Sequence, residues 1–267
     1  MDSDSKCSTA ELQKLLDNKL YTTRLIRTYE RIYGETFLSP GGSEASKDIV
    51  SYLDLAPGMK CLDVGCGTGG NAFYLAKHHG VEVHGLDLSN NMVNLAREYA
   101  NGRYKDARLS FAVEDVTTSE FPDESFDVIY SQCVLSHIQD KLSLFKKLRT
   151  WLKPGGRLLI ADYICSSGNH SKAFTDYIAQ REYHILPVEQ YSKVLECAGF
   201  KTVIVKDNTG VFAWTLQTDL ARIESNKEDF INEFSPEEYD HIFEVWQAKL
   251  RRAQEGEQGY GLFVYEK

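Results

Sequence analysis

"KCLDVGCGTGG", residues 60–70, decides the fold. A short apolar run enters four glycines, Gly65, Gly67, Gly69 and Gly70, and "GNAFYLAKHHG", residues 70–80, continues at helical spacing. A strand that turns through glycines into a helix lets backbone N–H groups approach a ligand closely, with the helix N-terminus behind them. Gly65, Gly67 and Gly70 also satisfy the dinucleotide pattern G-x-G-x-x-G. A tight turn without a ligand is the plainer alternative.

Outward from the loop, strand and helix patterns alternate. "VEVHGLDLS" (81–89), "RLSFAVEDV" (108–116), "FDVIYSQCV" (126–134) and "RLLIADYIC" (157–165) read as strands. Between them, "SNNMVNLAREYANG" is a helix capped by Ser89, and "DKLSLFKKLRTWLKPGG" is one stopped by Pro154 and the glycine pair. "VEQYSKVLECAGF" and "KTVIVKDNT" add a further helix and strand. Such spacing predicts an α/β fold, a mostly parallel sheet wound on both sides. Four regions follow: a helical cap over 1–56, a core over 57–210, a helical insertion over 211–256 acting as a lid, and a last strand over 257–267. Helices are expected before Gly34 and over "SEASKDIVSYLDL", the latter closed by Pro57 and Gly58. Ser235 in "SPEEY" reads as an N-cap, with Pro236 at the first helical position and Glu238 completing a capping box. "GYGLFVYEK" reads as a strand hairpinned with "KTVIVKD".

A chain of 267 residues with 42% hydrophobic and 26% charged residues needs no staples to fold. Its formal charge of −9 and pI near 5.3 repel polyanions, so nucleic acid is not expected as a partner. No basic-then-apolar leader opens the chain and no window approaches 18 apolar residues, which predicts a cytoplasmic protein without a membrane span. Cysteines 7, 61, 66, 133, 165 and 197 show no metal spacing, so no metal is expected. No obligate protein partner is evident.

Three carboxylates stand at successive strand ends: Asp63, Asp87 and Asp115. Asp87 suits ribose hydroxyls, as nicotinamide sites also require; Asp115 suits an adenine amine and Asp63 the amine of an amino-acid tail. Further on, "YSQCVLSHIQD" puts Cys133 and His137 four residues apart. That spacing suits a nucleophile and its base, two metal ligands, a substrate wall, or packing.

The loop, its aspartates and "WLKPGGRLLIADY" resemble class I S-adenosylmethionine-dependent methyltransferases over residues 57–205. That fold implies an antiparallel last strand. The segments "NKLYTTRLIRTYERIYGETFLSPGGSEASK", "YSQCVLSHI", "IADY", "QREYHILPVEQY" and "VWQAKLRRAQEGEQGYG" together resemble the phosphoethanolamine N-methyltransferases, from residue 18 to the end. This resemblance implies methylation of phosphoethanolamine and its mono- and dimethyl forms on the way to phosphocholine, with S-adenosylhomocysteine as co-product. It implies a catalytic pair at Tyr21 and His137. Cofactor contacts are implied at Ser39, Asp63, Gly65, Gly67, Asp87, Leu88, Asp115, Val116 and Gln132, and substrate contacts at Cys133, Tyr163, Arg181, Tyr183 and Lys249. Two cations and two phenols suit a phosphomonoester dianion.

One departure stands out. Family members usually carry Arg-Asp where this chain has Gln132-Cys133, and the family's aspartate faces the substrate amine. A methylated phosphobase, another anionic amine, or the full reaction at a lower rate all remain compatible with a thiol there. The competing functions are a nicotinamide-dependent oxidoreductase, opposed by Asp115 and the single-sheet length, and a catalytically silent cofactor-binding subunit.

Overall fold

Apolar, β-branched and aromatic runs between turn formers become seven strands. They are β1 (Lys60–Val64), β2 (Glu82–Asp87), β3 (Leu109–Val113), β4 (Phe126–Gln132), β5 (Leu152–Cys165), β6 (Lys201–Asp207) and β7 (Gln258–Glu266). The computed structural model describes residues 9–267; Cys7 and the rest of the polar opening lie outside the described residues. The strands form one sheet in the order β3-β2-β1-β4-β5-β7-β6. Neighbours among β1 to β5 pair in parallel, and β7 runs antiparallel to both β5 and β6. The chain thus adopts the expected mostly parallel sheet with an antiparallel last strand.

Eleven α-helices are described. α1 (Thr9–Leu15), α2 (Thr23–Tyr33) and α3 (Gly42–Val50) precede the sheet; α4 (Gly70–His79), α5 (Asn90–Arg103), α6 (Lys141–Trp151), α7 (Lys172–Arg181) and α8 (Val188–Cys197) connect its strands. α9 (Thr209–Ser225), α10 (Lys227–Glu233) and α11 (Pro236–Gln254) lie between β6 and β7. Side-chain caps fix several starts: Ser89 Oγ accepts from Met92 N at 3.3 Å, and Ser235 Oγ from Glu238 N at 3.1 Å. Only that half of the expected capping box is built locally. Glu238 spends its carboxylate on Arg24 of α2, with two contacts of 2.7 Å, which fastens α11 to the amino-terminal helices.

Three boundaries differ from the sequence reading. α6 ends at Trp151, three residues before Pro154, because Leu152 is already paired with Phe126 as β5 begins. Lys153–Gly156 are accommodated as a shift in β4–β5 register. α3 ends at Val50, seven residues before Pro57. β3 ends at Val113, so Asp115 belongs to the following turn.

Alternation along β5 sends Leu159 and Ala161 to one side and Leu158 and Ile160 to the other, dividing the core into two layers. α2, α3, α4, α5, α9 and α11 contribute to the first, and α6 and α8 to the second. Burying an aromatic or leucine side chain such as Phe263 or Leu158, both 0% exposed, contributes about 2 kcal/mol each. This rigid sheet presents its parallel strands' carboxyl ends, with the loops that follow them, as one face.

Candidate active site at the carboxyl ends of the strands

The loop after β1 takes positive φ at Gly65, Gly67 and Gly69. A side chain at Gly65 would collide with Val134, and one at Gly70 with the Thr36 carbonyl and the Phe37 ring. The N–H groups of Gly65 and Cys66 both donate to the Leu86 carbonyl at 2.8 Å. Asp87 Oδ2 accepts from Gly67 N and Oδ1 from Ser89 N, each at 2.9 Å. Asp87 therefore braces the glycine loop itself. Burial raises its pKa against those two donors.

Asp63 is different. It is 1% exposed, and its Oδ2 has no hydrogen-bond partner among the described residues. Burial, aided by the nearby Asp87, pushes its pKa up to about 7. An unpartnered buried carboxylate oxygen beside a glycine loop fits an ammonium group, so the residues present suit an amino-acid tail at this point. Asp115 is half-buried, its Oδ1 accepting from Thr117 N at 2.9 Å and Thr117 Oγ1 at 2.6 Å. Val116 is buried, and the Leu88 carbonyl accepts from Gln13 Nε2 at 3.1 Å.

Gln132 closes β4 with its amide engaged. Oε1 accepts from Asn71 Nδ2 at 3.0 Å and Tyr130 OH at 2.9 Å, while Nε2 donates to Tyr260 OH at 3.2 Å. Cys133 then leaves the strand at φ +57°, a left-handed conformation that Asp and Asn adopt more readily than other non-glycine residues. Its Sγ lies 3.5 Å from Tyr260 OH. Burial, with Asp162 nearby, pushes the thiol up to about 11, so it stays protonated at neutral pH. The phenols of Tyr21, Tyr33, Tyr163 and Tyr260 are near enough for a charge on Cys133 to act on each, and the Ser39 hydroxyl also approaches it. The thiol wall is thus lined with aromatic rings.

His137 ends a one-turn 3-10 helix, Leu135–His137, and its ring packs edge-on against Tyr183 at 4.9 Å. It is nonetheless exposed on the side away from Tyr183. Burial of the remainder, with Arg181, Lys141 and His184 nearby, lowers its pKa to about 4. Tyr21 is pushed up by burial and by Asp87, so it remains a phenol donor. Among the described residues no hydrogen bond joins Tyr21 to His137; Arg181 is the group whose charge acts on both.

Arg181 and Lys249 converge on a phenol cluster. Tyr163 and Tyr183 lie 5.8 Å apart and Tyr177 and Tyr183 5.9 Å apart. Lys249 Nζ reaches Tyr163 OH at 3.5 Å, and Arg181 stands 5.9 Å over Tyr177. Arg252 joins them, its guanidinium 3.7 Å over the Tyr177 ring and its Nε donating to Gln258 Oε1 at 2.9 Å. Burial, with Arg252 and Arg181, lowers the Lys249 ammonium to about 8. None of the three cations has a carboxylate within 4 Å among the described residues. Such a set suits an anion.

Tyr177 and Arg252 were missing from the sequence reading. Their signal was helical spacing: Tyr177 stands four residues before Arg181 on α7, and Arg252 three after Lys249 on α11. Asp219 was also missing. It is 0% exposed, burial pushes it up to about 6, and its Oδ2 accepts from Gly41 N at 3.1 Å, tying α9 to the loop that carries Ser39. No group of three or more metal-ligating side chains is assembled among the described residues, and none of their helices is long and apolar enough to cross a membrane.

A family model described as a methyltransferase domain matches residues 62–160. The chain is 36% identical to the phosphoethanolamine N-methyltransferase of Plasmodium falciparum, over 93% of each chain. It is 48% identical to a phosphoethanolamine N-methyltransferase of Triticum aestivum over 95% of this chain, and spans about half (50%) of that relative's length. Among solved structures it superposes with a TM-score of 0.93 on phosphoethanolamine N-methyltransferase 2 of Haemonchus contortus, at 35% identity, covering 98% of this chain and 61% of that one. That structure holds phosphomonomethylethanolamine and S-adenosylhomocysteine.

Proposed function

Since the chain belongs to the phosphoethanolamine N-methyltransferase family, we propose that it methylates the amine of a phosphobase, phosphoethanolamine or its mono- and dimethyl forms, using S-adenosylmethionine. The observation that carries this reading is the carboxylate-free cluster of Arg181, Lys249 and Arg252 on three phenols, beside a thiol and aromatic wall. A phosphomonoester dianion satisfies the cations, and its position brings the amine toward Cys133 and His137.

S-adenosylmethionine, when bound, supplies an electrophilic sulfonium methyl group. Asp63 holds its amine, the glycine loop its carboxylate and Asp87 its ribose, while Ser39, Leu88, Asp115, Val116 and the Gln132 backbone border it. Tyr21 orients the amine. His137 is neutral at pH 7 and able to accept a proton. Burial foremost, and Arg181 after it, make the imidazole a weak base; a bound phosphate dianion offsets the Arg181 part and strengthens it to that extent. Substrate binding thereby readies the group that takes the proton. α9 and α11, with the amino-terminal helices, form a lid that keeps water out. The acidic composition and unpaired described cysteines suit a cytoplasmic enzyme.

Cys133 favours acceptors that already carry a methyl group. Rings attract an alkylated ammonium by cation–π interaction, whereas a thiol offers little to the several N–H donors of a primary ammonium. The deciding assay supplies phosphoethanolamine and its mono- and dimethyl forms separately, with ethanolamine as control. Equal turnover of ethanolamine and phosphoethanolamine would refute the phosphate assignment. Tight binding of S-adenosylmethionine without turnover of any phosphobase would point to a silent cofactor-binding subunit.

A further inference from the structure

Lys141 is anomalously placed. It opens α6, where the helix dipole disfavours a cation, and it is 3% exposed although lysines are rarely buried unpaired. Its Nζ donates to the carbonyls of Leu135 and Ile138, each at 2.7 Å. Those carbonyls bracket His137. The same short turn is closed by His137 N to Val134 O at 3.1 Å and Ile138 N to Leu135 O at 3.0 Å. The Ser136 carbonyl accepts from His184 N at 2.7 Å, joining the turn to the residue after Tyr183.

Beneath this turn lies Asp162 of β5, 0% exposed, with Oδ1 accepting from Tyr163 N at 2.8 Å. Its charge acts on Lys141, and Ser136 and Tyr191 both face it. Among the described residues Ser136 Oγ, Tyr191 OH and Asp162 Oδ2 are buried without a close hydrogen-bond partner, so the carboxylate's main compensation is the Tyr163 N–H and the ammonium, with the Ser136 hydroxyl and N–H contributing less. The Lys141 ammonium also stands 5.9 Å over the Tyr191 ring. One buried cation and one buried anion thus support both His137 and the backbone of Tyr163.

We propose that Lys141, held in place by Asp162, is a positioning residue for His137: its ammonium clamps the 135–138 turn and sets a fixed positive charge beneath the imidazole. This rests on the proposed role of His137. The charged and titratable groups around the ring are Lys141 from α6, and Arg181, Tyr183 and His184 from the end of α7 and the segment after it. Removing Lys141 takes away one of the two charges, Lys141 and Arg181, that face the ring at neutral pH, and frees two carbonyls. The ring then protonates at higher pH and loses its fixed orientation, and a misplacement of about 1 Å can lower turnover by about a hundredfold.

The test compares Lys141→Gln, which retains a donor without charge, with Lys141→Arg, which retains charge. His137 is followed by proton NMR, its resonance assigned by loss in His137→Asn. In Lys141→Gln the His137 midpoint should rise by about half a pH unit or more, with Lys141→Arg staying close to the parent. Lys141→Gln should also lower kcat by about tenfold while the KM for the phosphobase moves less than about threefold. A fall in melting temperature with the His137 midpoint unchanged, or an equal shift in the Gln and Arg variants, overturns the proposal. If the parent methylates no phosphobase, the functional reading fails, and the NMR titration still decides whether Lys141 governs His137.

Discussion

At Asp63, folding and ligand binding oppose each other. The carboxylate is 1% exposed with one oxygen unpartnered, and its pKa is pushed to about 7. The ordinary value is about 3.9, so the native state holds its proton about three pH units longer than the unfolded chain, worth about 4 kcal/mol at 1.36 kcal/mol per unit. Between about pH 4 and pH 7 the native state binds more protons than the unfolded state, so stability falls as pH rises through that window and levels off above it. Asp63→Asn removes the titration, and the new buried amide costs about 1–2 kcal/mol in imperfect hydrogen bonding. The ligand-free variant should therefore exceed the parent by about 2–3 kcal/mol at pH 8 and differ little at pH 5. Urea unfolding at the two pH values, followed by circular dichroism, measures this. Calorimetric titration with S-adenosylmethionine should show affinity reduced about ten- to a hundredfold, because a charge-assisted hydrogen bond to the amine is lost. A variant less stable than the parent at pH 8, or a stability difference independent of pH, would refute the reasoning.

Four further outcomes follow from the site. Lys249→Ala should raise the KM for a phosphobase about ten- to a hundredfold with a smaller effect on kcat, since it removes one charge-assisted contact to phosphate. Affinity for the phosphobase, measured by calorimetry, should decline in the parent as pH rises through about 8, where Lys249 loses its proton, and this limb should vanish in the variant. Cys133→Asp should cost less than about 1 kcal/mol in backbone terms, because position 133 holds φ +57°, and should shift preference in a product assay toward phosphoethanolamine. Asp219→Ala should destabilise by about 1–3 kcal/mol, leaving Gly41 N without its acceptor, and should weaken S-adenosylmethionine binding; thermal melts with and without ligand separate the two effects.

The sheet was legible because its signals are local. Alternating patterns, a glycine turn and cap residues such as Ser89 and Ser235 each act within a few positions. Boundaries were less legible: Pro154 looked like the end of α6, but pairing of Leu152 with Phe126 ends it earlier, and strand pairing leaves no mark on the helix's own pattern. Within the site, the glycine loop and aspartates announced themselves by order along the chain. Contacts joining distant positions did not. Gly41 and Asp219 are 178 residues apart, and the Lys141 clamp depends on an ammonium folding back onto its own turn, which no spacing rule encodes. Sequence could suggest His137 as a base but gave no sign that burial, with the Arg181 and Lys141 charges beside it, would hold it neutral.

The amino-terminal segment is fastened to the start of α5. Asp17 Oδ1 accepts from Ser89 Oγ at 2.6 Å and Oδ2 from Asn90 Nδ2 at 2.9 Å, while Asn91 Nδ2 donates to the carbonyls of Asp17 and Tyr21 at 3.0 and 2.9 Å. With Gln13 on Leu88, this strap passes over the chain just beyond Asp87. On the proposed reading, a nucleoside held by Asp87 and Leu88 departs only after several of these bonds open together. Its residence time then depends on the strap as well as on the ligand's own contacts.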